Sequence, residues 1–244
     1  MGSTCSTCIT QGRPRARPAA TERIVSIDVE AGASGFGHGD RVPIQVAVVE
    51  HVDGQQRTVL STLVHPEQHV VEFLTPLTGV EATDLEGAPP LSEVVDQVKD
   101  ILRGDSGVPL PVLVGAGIQN DVAWLGLEEG IDYERTVDLS LLLRSWNPRY
   151  NNYFHPSLAH MCRLLLPAMD DIGHQHDAEY DARVSVALYV RHQRMTEKER
   201  ERAKVKLANA RVTPSFAKST EYRYNGVCLA KYNPRWCSCG QPTS

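Results

Sequence analysis

Apolar residues fall into two regimes along this chain: short runs bounded by glycine or polar clusters, and longer stretches where they recur every three or four positions. The first short run, Ile24-Val25-Ser26-Ile27-Asp28-Val29-Glu30, ends in a segment carrying Gly32, Gly35, Gly37 and Gly39. It reads as a buried strand over 23–30. Pro43 to Glu50 and Thr58 to Val64 read as two more strands, and the spacing predicts an antiparallel meander. From Ser92, an expected N-cap, Val94, Val95, Val98, Ile101 and Leu102 share one helical face. Val112 to Gly115 is a fourth, short buried strand feeding a helix at Asn120, and Thr136 to Leu139 a fifth. Ser157 caps a helix through Leu165, and a further helix runs from about His174 through Val190. Thr196 and Glu199 have capping-box spacing for a charged helix to about Ala210. Strands first and strand–helix alternation afterwards predict an α/β domain with a mixed five-stranded sheet flanked by helices.

Within that frame, the spacing of Asp28 and Glu30 acquires chemical meaning. Residues i and i+2 of a strand face the same way, so both carboxylates emerge together. Two acids on a buried strand are costly unless a positive charge lies between them, and a divalent cation with oxygen ligands is the natural candidate. Asp121, at the start of the helix after the fourth strand, and Asp181, on the later helix, supply two more carboxylates. His176 precedes Asp181 by five residues, too far round for one helical stripe, which puts it in the loop or first turn, free to act as a base. Four carboxylates and a histidine suit phosphodiester hydrolysis on two metal ions, Mg²⁺ or Mn²⁺. His174 competes with His176 but lies farther from Asp181; Asp138 reads as structural, and Asp177 and Glu179 as solvated neighbours.

Three ordered motifs resemble those of the DEDDh 3′–5′ exonucleases of the DnaQ-like, ribonuclease H-like superfamily. They are Ile27-Asp28-Val29-Glu30, Leu113-Val114-Gly115-Ala116-Gly117-Ile118-Gln119-Asn120-Asp121, and His176-Asp177-Ala178-Glu179-Tyr180-Asp181. The second motif is most similar to the Rex and interferon-stimulated RNA exonuclease group. The resemblance covers roughly residues 22–192 and implies a ribonuclease H-like fold. It also implies Asp28, Glu30, Asp121 and Asp181 as ligands of two ions, His176 as general base, and 5′-mononucleotide products from single-stranded nucleic acid, RNA preferred. Ala116 stands where the Rex group usually has His, and the glycine-rich loop replaces the residues that usually touch the terminal nucleotide. Val29, Ala31, Phe36 and Asn120 are the expected substrate contacts here. Two alternatives stay open: a DNA exonuclease of the proofreading or repair kind, and a silent nucleic-acid-binding scaffold.

Charge and cysteine then set the boundaries. The net charge is −5 over 244 residues, but Lys+Arg and Asp+Glu number 10 and 26 over 18–190 and 12 and 4 over 191–244. That asymmetry predicts an acidic body with a basic end suited to a polyanion. The expected division is an N-terminal arm over 1–20, an exonuclease domain over 21–194, and a basic helix with a Cys- and aromatic-rich tail over 195–244. In that tail Tyr224, Arg235 and Trp236, with Tyr222, Arg223, Lys231 and Tyr232, interleave rings for base stacking with cations for phosphate, or bury their rings against the domain. Cys228, Cys237 and Cys239 are a candidate structural zinc set, with Cys5 and Cys8 to complete it if the termini meet; reduced surface thiols are the alternative. No apolar run reaches the roughly 18 residues of a membrane span. Six cysteines without a secretory segment predict an intracellular protein, cytoplasmic or nuclear, and the opening Met1-Gly2-Ser3-Thr4-Cys5-Ser6 fits an acylation pattern at Gly2, Cys5 and Cys8 that would bring it to a membrane.

Overall fold

The computed structural model describes residues 22–169 and 177–242. A five-stranded sheet forms its centre, in the order β3-β2-β1-β4-β5. Strands β1 (Ile24–Ala33), β2 (Arg41–Val52) and β3 (Gln55–Leu63) make the antiparallel meander. A short helix α1 (Thr75–Thr78) and the longer α2 (Leu91–Arg103) lead to β4 (Val112–Gly115), helix α3 (Gln119–Trp124) and β5 (Arg135–Asp138). β4 and β5 run parallel to β1 and to each other. After α4 (Leu139–Leu142) and the hairpin β6 (Ser145–Asn147) and β7 (Asn152–Phe154) come α5 (Leu158–Leu165), α6 (Ala178–Arg194) and α7 (Glu197–Asn209). A short helix α8 (Phe216–Ser219) and the hairpin β8 (Arg223–Tyr224) and β9 (Val227–Cys228) carry the chain into its tail. No helix among the described residues is long and apolar enough to cross a membrane.

The alternation along β1 sorts its side chains into two layers. Val25, Ile27 and Val29 join a core with Val94, Val98 and Leu102 of α2 and Val122 of α3. Ile24 packs on the opposite layer with Val112 and Val114 of β4 and Ala182, Val184 and Leu188 of α6. Full burial of an aliphatic side chain is worth about 1.5–3 kcal/mol, so the two layers fix the strand's register: a one-residue slip would turn both acids into the α2-side core and the valines toward α6. Where the layers hold, Ser26, Asp28 and Glu30 face α6. β1 also outruns its parallel neighbour. β4 pairs only with Ile24 to Ser26, so Asp28 and Glu30 stand beyond its end, in an opening that α3 and α6 border. A register shift between Glu30 and Ala31 bends the strand just past the acids.

Several local expectations need adjustment. β1 continues through Ala33, because β2 supplies partners as far as Arg41. α2 begins at Leu91 with Pro90, not Ser92, at its N-cap: the fixed φ of −65° suits the entry, and proline has no N–H to leave unpaired. Asp177 is no mere solvated neighbour, since its side chain accepts from Glu179 N–H and caps α6. Glu179 accepts from Thr58 Oγ1 at 2.6 Å and pairs with Arg183 at 3.0 Å, fastening α6 to β3. Asp138 caps α4 through Ser140 N–H, Ser157 caps α5, and Thr196 and Glu199 close a reciprocal box on α7.

Candidate active site and a thiol–imidazole cluster

One carboxylate oxygen each from Asp28, Glu30 and Asp181 lies within 4.8 Å of the others. β1 supplies two of them at strand spacing, and the first turn of α6 brings the third across the sheet. Asp121 approaches from α3, and its Oδ1 accepts from the buried N–H of Val29 at 3.0 Å. An aspartate in a first helical turn usually caps its own helix. This one instead spends an oxygen on the strand between the two other acids, locking α3 against β1.

Burial makes the cluster electrically strained. Desolvation first, then the charges of Asp121, Asp181, Glu30 and Asp177, hold the Asp28 carboxyl well above its ordinary range. Glu30 is pushed up to about 9 by burial and then by Asp181, Asp121 and Asp177. Burial lifts Asp121 to about 7 against the opposing pull of backbone N–H groups. Glu50, on β2, provides an internal contrast. It is equally buried, yet Arg23 at 2.7 Å and Arg57 at 3.0 Å flank it. Burial pushes its carboxyl up, but these two guanidinium groups outweigh it and hold the acid below its usual range. Among the described residues Asp28, Glu30 and Asp121 have no cationic side chain as ion-pair partner. An all-oxygen, acid-rich pocket fits hard divalent cations such as Mg²⁺ or Mn²⁺.

This architecture has counterparts in known proteins. The sequence profile of the RNase_T family, described as Exonuclease, matches residues 25–189. The chain belongs to the Exonuclease family. It is similar to "RNA exonuclease 4" of Mycosarcoma maydis, 28% identical over 167 residues that make up 68% of this chain and 41% of that protein. It is also similar to "Small RNA degrading nuclease 3" of Arabidopsis thaliana, 30% identical over 180 residues, 72% of this chain and 21% of that protein. The chain thus spans less than half the length of these relatives. The fold resembles the Pan2 pseudoubiquitin hydrolase–RNA exonuclease module of Saccharomyces cerevisiae, with a TM-score of 0.61 at 15% identity over 88% of this chain and 34% of that one. The cell-death related nuclease 4 (CRN-4) has a TM-score of 0.51 at 14% identity, covering 70% of this chain and 64% of that chain. The mixed sheet of the exonuclease fold is therefore the architecture expected from the motifs.

The other expected site residues are placed unevenly. His176 and its competitor His174 lie outside the described residues, as do Gly2, Cys5 and Cys8. Val29 needs correction as a substrate contact: its side chain is buried in the α2-side core, and only its N–H reaches the site. Ala31 is half-buried, and Phe36 is exposed on the loop after β1. Asn120 is held from the tail, its Oδ1 accepting from Lys231 Nζ at 2.6 Å and its Nδ2 donating to Tyr232 Oη at 2.9 Å. The tail rings partly satisfy one another: Tyr222 stacks on Trp236 at 5.8 Å, and Tyr224 meets Phe216 edge-on at 5.3 Å. Arg235, Trp236 and Tyr232 keep exposed faces.

The three tail cysteines do converge, and on a partner that cysteine spacing never indicated. His38 Nδ1 lies 3.9 Å from Cys228 Sγ, 3.5 Å from Cys237 Sγ and 3.2 Å from Cys239 Sγ. His38 sits in the segment Gly35-Phe36-Gly37-His38-Gly39, some 200 residues before the thiols, and no local pattern marks it as a ligand.

Proposed function

We propose that this protein is a metal-dependent 3′–5′ exonuclease that hydrolyses single-stranded RNA to 5′-mononucleotides. The observation that carries this reading is the convergence of Asp28, Glu30 and Asp181, with Asp121 against β1, into one buried acid cluster in a chain of the Exonuclease family. These four carboxylates would hold two Mg²⁺ or Mn²⁺ ions, which supply an activated water and stabilise the leaving oxyanion. Asp28 and Glu30 present their oxygens from a strand fixed by two cores, so the ligand geometry does not wait on substrate to form. Asp121 holds the backbone between them. His176, in the His-x4-Asp spacing with Asp181, takes the proton from the attacking water. The 3′–5′ direction is carried over from the resemblance of these residues to the DEDDh motifs, and the names of the fungal and plant relatives favour RNA. Asn120, next to Asp121 and held by Tyr232, is the contact we assign to an arriving strand.

The test is digestion of a 5′-labelled single-stranded RNA beside the DNA of the same sequence, with Mg²⁺ or Mn²⁺. A ladder shortening from the 3′ end is expected for RNA, absent without metal and absent with Asp28→Ala. Faster digestion of the DNA would reassign the substrate. Failure of folded protein to release mononucleotides with either metal would refute the catalytic reading.

A further inference from the structure

We propose that His38, Cys228, Cys237 and Cys239 bind one structural Zn²⁺, which clasps the C-terminal tail to the loop following β1. The four ligand atoms all lie within 4.8 Å of one another. A tetrahedral zinc with Zn–S near 2.3 Å and Zn–N near 2.0–2.1 Å requires S···N edges of about 3.6 Å and S···S edges of about 3.8 Å. The observed S···N separations of 3.2, 3.5 and 3.9 Å bracket the first value, and Cys237 Sγ to Cys239 Sγ, at 3.5 Å, approaches the second. Ligand atoms already stand at the corners that a closed Cys₃His site needs.

The surroundings of the imidazole support the same assignment. His38 Nε2 lies 2.8 Å from the carbonyl of Pro242, which can only accept, so Nε2 carries the hydrogen. In the neutral ring Nδ1 then presents its lone pair to the three sulfurs, the outer-partner arrangement that orients metal-bound histidines. Thiolate and imidazole together select zinc over the hard cations suited to the carboxylate pocket. Four protein ligands leave no open position, which makes the site structural.

Other contacts show what the ion would hold together. Cys228 N–H donates to Phe36 O at 2.9 Å, and Arg41 donates to Cys228 O at 3.0 Å and Gly37 O at 2.9 Å. Gln241 accepts from Gly39 N–H and donates to Asp40. The loop between β1 and β2 therefore continues from Glu30 into the clasp. The tail between Cys228 and Cys237 carries Lys231 and Tyr232, which hold Asn120 beside Asp121. Zinc would stiffen two segments that flank the carboxylates without taking part in hydrolysis, so its presence does not depend on the proposed nuclease reading.

The experiment measures metal in the full chain, produced with zinc, purified without chelator and desalted. The expected result is about one zinc per chain, retained in Asp28→Asn and lost in Cys239→Ser and His38→Ala. Removing a ligand should weaken zinc by more than the roughly 10–100-fold cost of losing an outer partner. Cobalt substitution should give a thiolate charge-transfer band in the unmutated protein that Cys239→Ser lacks. If those variants fail to fold, thiol titration of the unmutated protein still decides: Cys237 and Cys239, both half-exposed, should react only after chelation. A zinc-free chain with immediately reactive thiols overturns the proposal. Zinc lost with Asp28→Asn, zinc untouched by Cys239→Ser, iron or copper in its place, or a Cys237–Cys239 disulfide in the intact mass would each overturn it too.

Discussion

Replacing Glu30 by glutamine should stabilise the metal-free protein near neutral pH while weakening its hold on Mn²⁺. The Glu30 carboxyl titrates near 4.5 in an unfolded chain and near 9 in the fold, where burial and then the charges of Asp181, Asp121 and Asp177 oppose ionisation. A group whose folded value is raised contributes stability fully below pH 4.5 and loses it progressively as pH climbs through 9. At pH 7 the unfolded chain has gained about 2.5 pH units of ionisation that the fold refuses, and at about 1.4 kcal/mol per unit this costs about 3 kcal/mol. Glutamine keeps the shape of the neutral carboxyl and removes that loss. For a chain of this size the gain corresponds to a rise in Tm of about 6–12 °C. Asp121, raised to about 7, loses stability in the same sense from pH 3.8 upward in both proteins, and its charge repels Glu30, so the difference between the two curves reports the pair. The assay is thermal or urea unfolding at pH 5, 6, 7 and 8, without Mg²⁺ or Mn²⁺ and then with Mn²⁺. Without metal the two curves should lie close together at pH 5 and diverge as pH rises. With Mn²⁺ the unmutated protein should gain more than Glu30→Gln. Parallel pH profiles, or an equal response to Mn²⁺, would refute the picture of Glu30 as a buried acid awaiting a cation.

Other positions give independent tests. Arg23→Met removes one of the two cationic partners of buried Glu50 and the donors to Leu102 O and Ile101 O at the end of α2; with Arg57 still in place, unfolding should show a loss of about 2–3 kcal/mol. Ser26→Ala should be neutral or stabilising by up to about 1 kcal/mol, since the buried Oγ has no hydrogen-bond partner; a loss above about 1 kcal/mol would contradict that. Gly37→Ala would put a Cβ 2.2 Å from Gln241 Nε2, so the amide must leave Gly39 and Asp40, and proteolysis of the tail should accelerate while the central sheet stays intact. Lys231→Ala frees Asn120 from its 2.6 Å contact; RNA digestion should slow with Mn²⁺ affinity unchanged, and an unaltered rate would remove the tail from the site's support.

Much of the carboxylate cluster could be read along the chain because its geometry is local. A two-residue period on a strand sends Asp28 and Glu30 the same way, and the flanking valines supply the burial that makes the pair chemically meaningful. The same period places Val29 on the opposite face, so its assignment to substrate conflicted with the pattern that located the acids. Caps at Ser157 and Thr196 were equally legible, being contacts over three residues. The aromatic tail was ambiguous from sequence because a ring suited to a base is also suited to another ring; Tyr222 on Trp236 takes the second course.

The amino-acid sequence by itself determined the order of the five central strands and the longer helices, the alternating faces of β1 and the set of carboxylates available to a cation. Only the tertiary structure decided that Asp121 would grip Val29, that Arg23 and Arg57 would compensate Glu50, and that His38 would meet three cysteines about 200 residues away. Periodicity reports which side of an element is buried, because that depends on neighbours a few residues apart. Charge balance and metal-ligand sets depend on which elements the sheet and tail bring into contact, and no spacing within one segment carries that information.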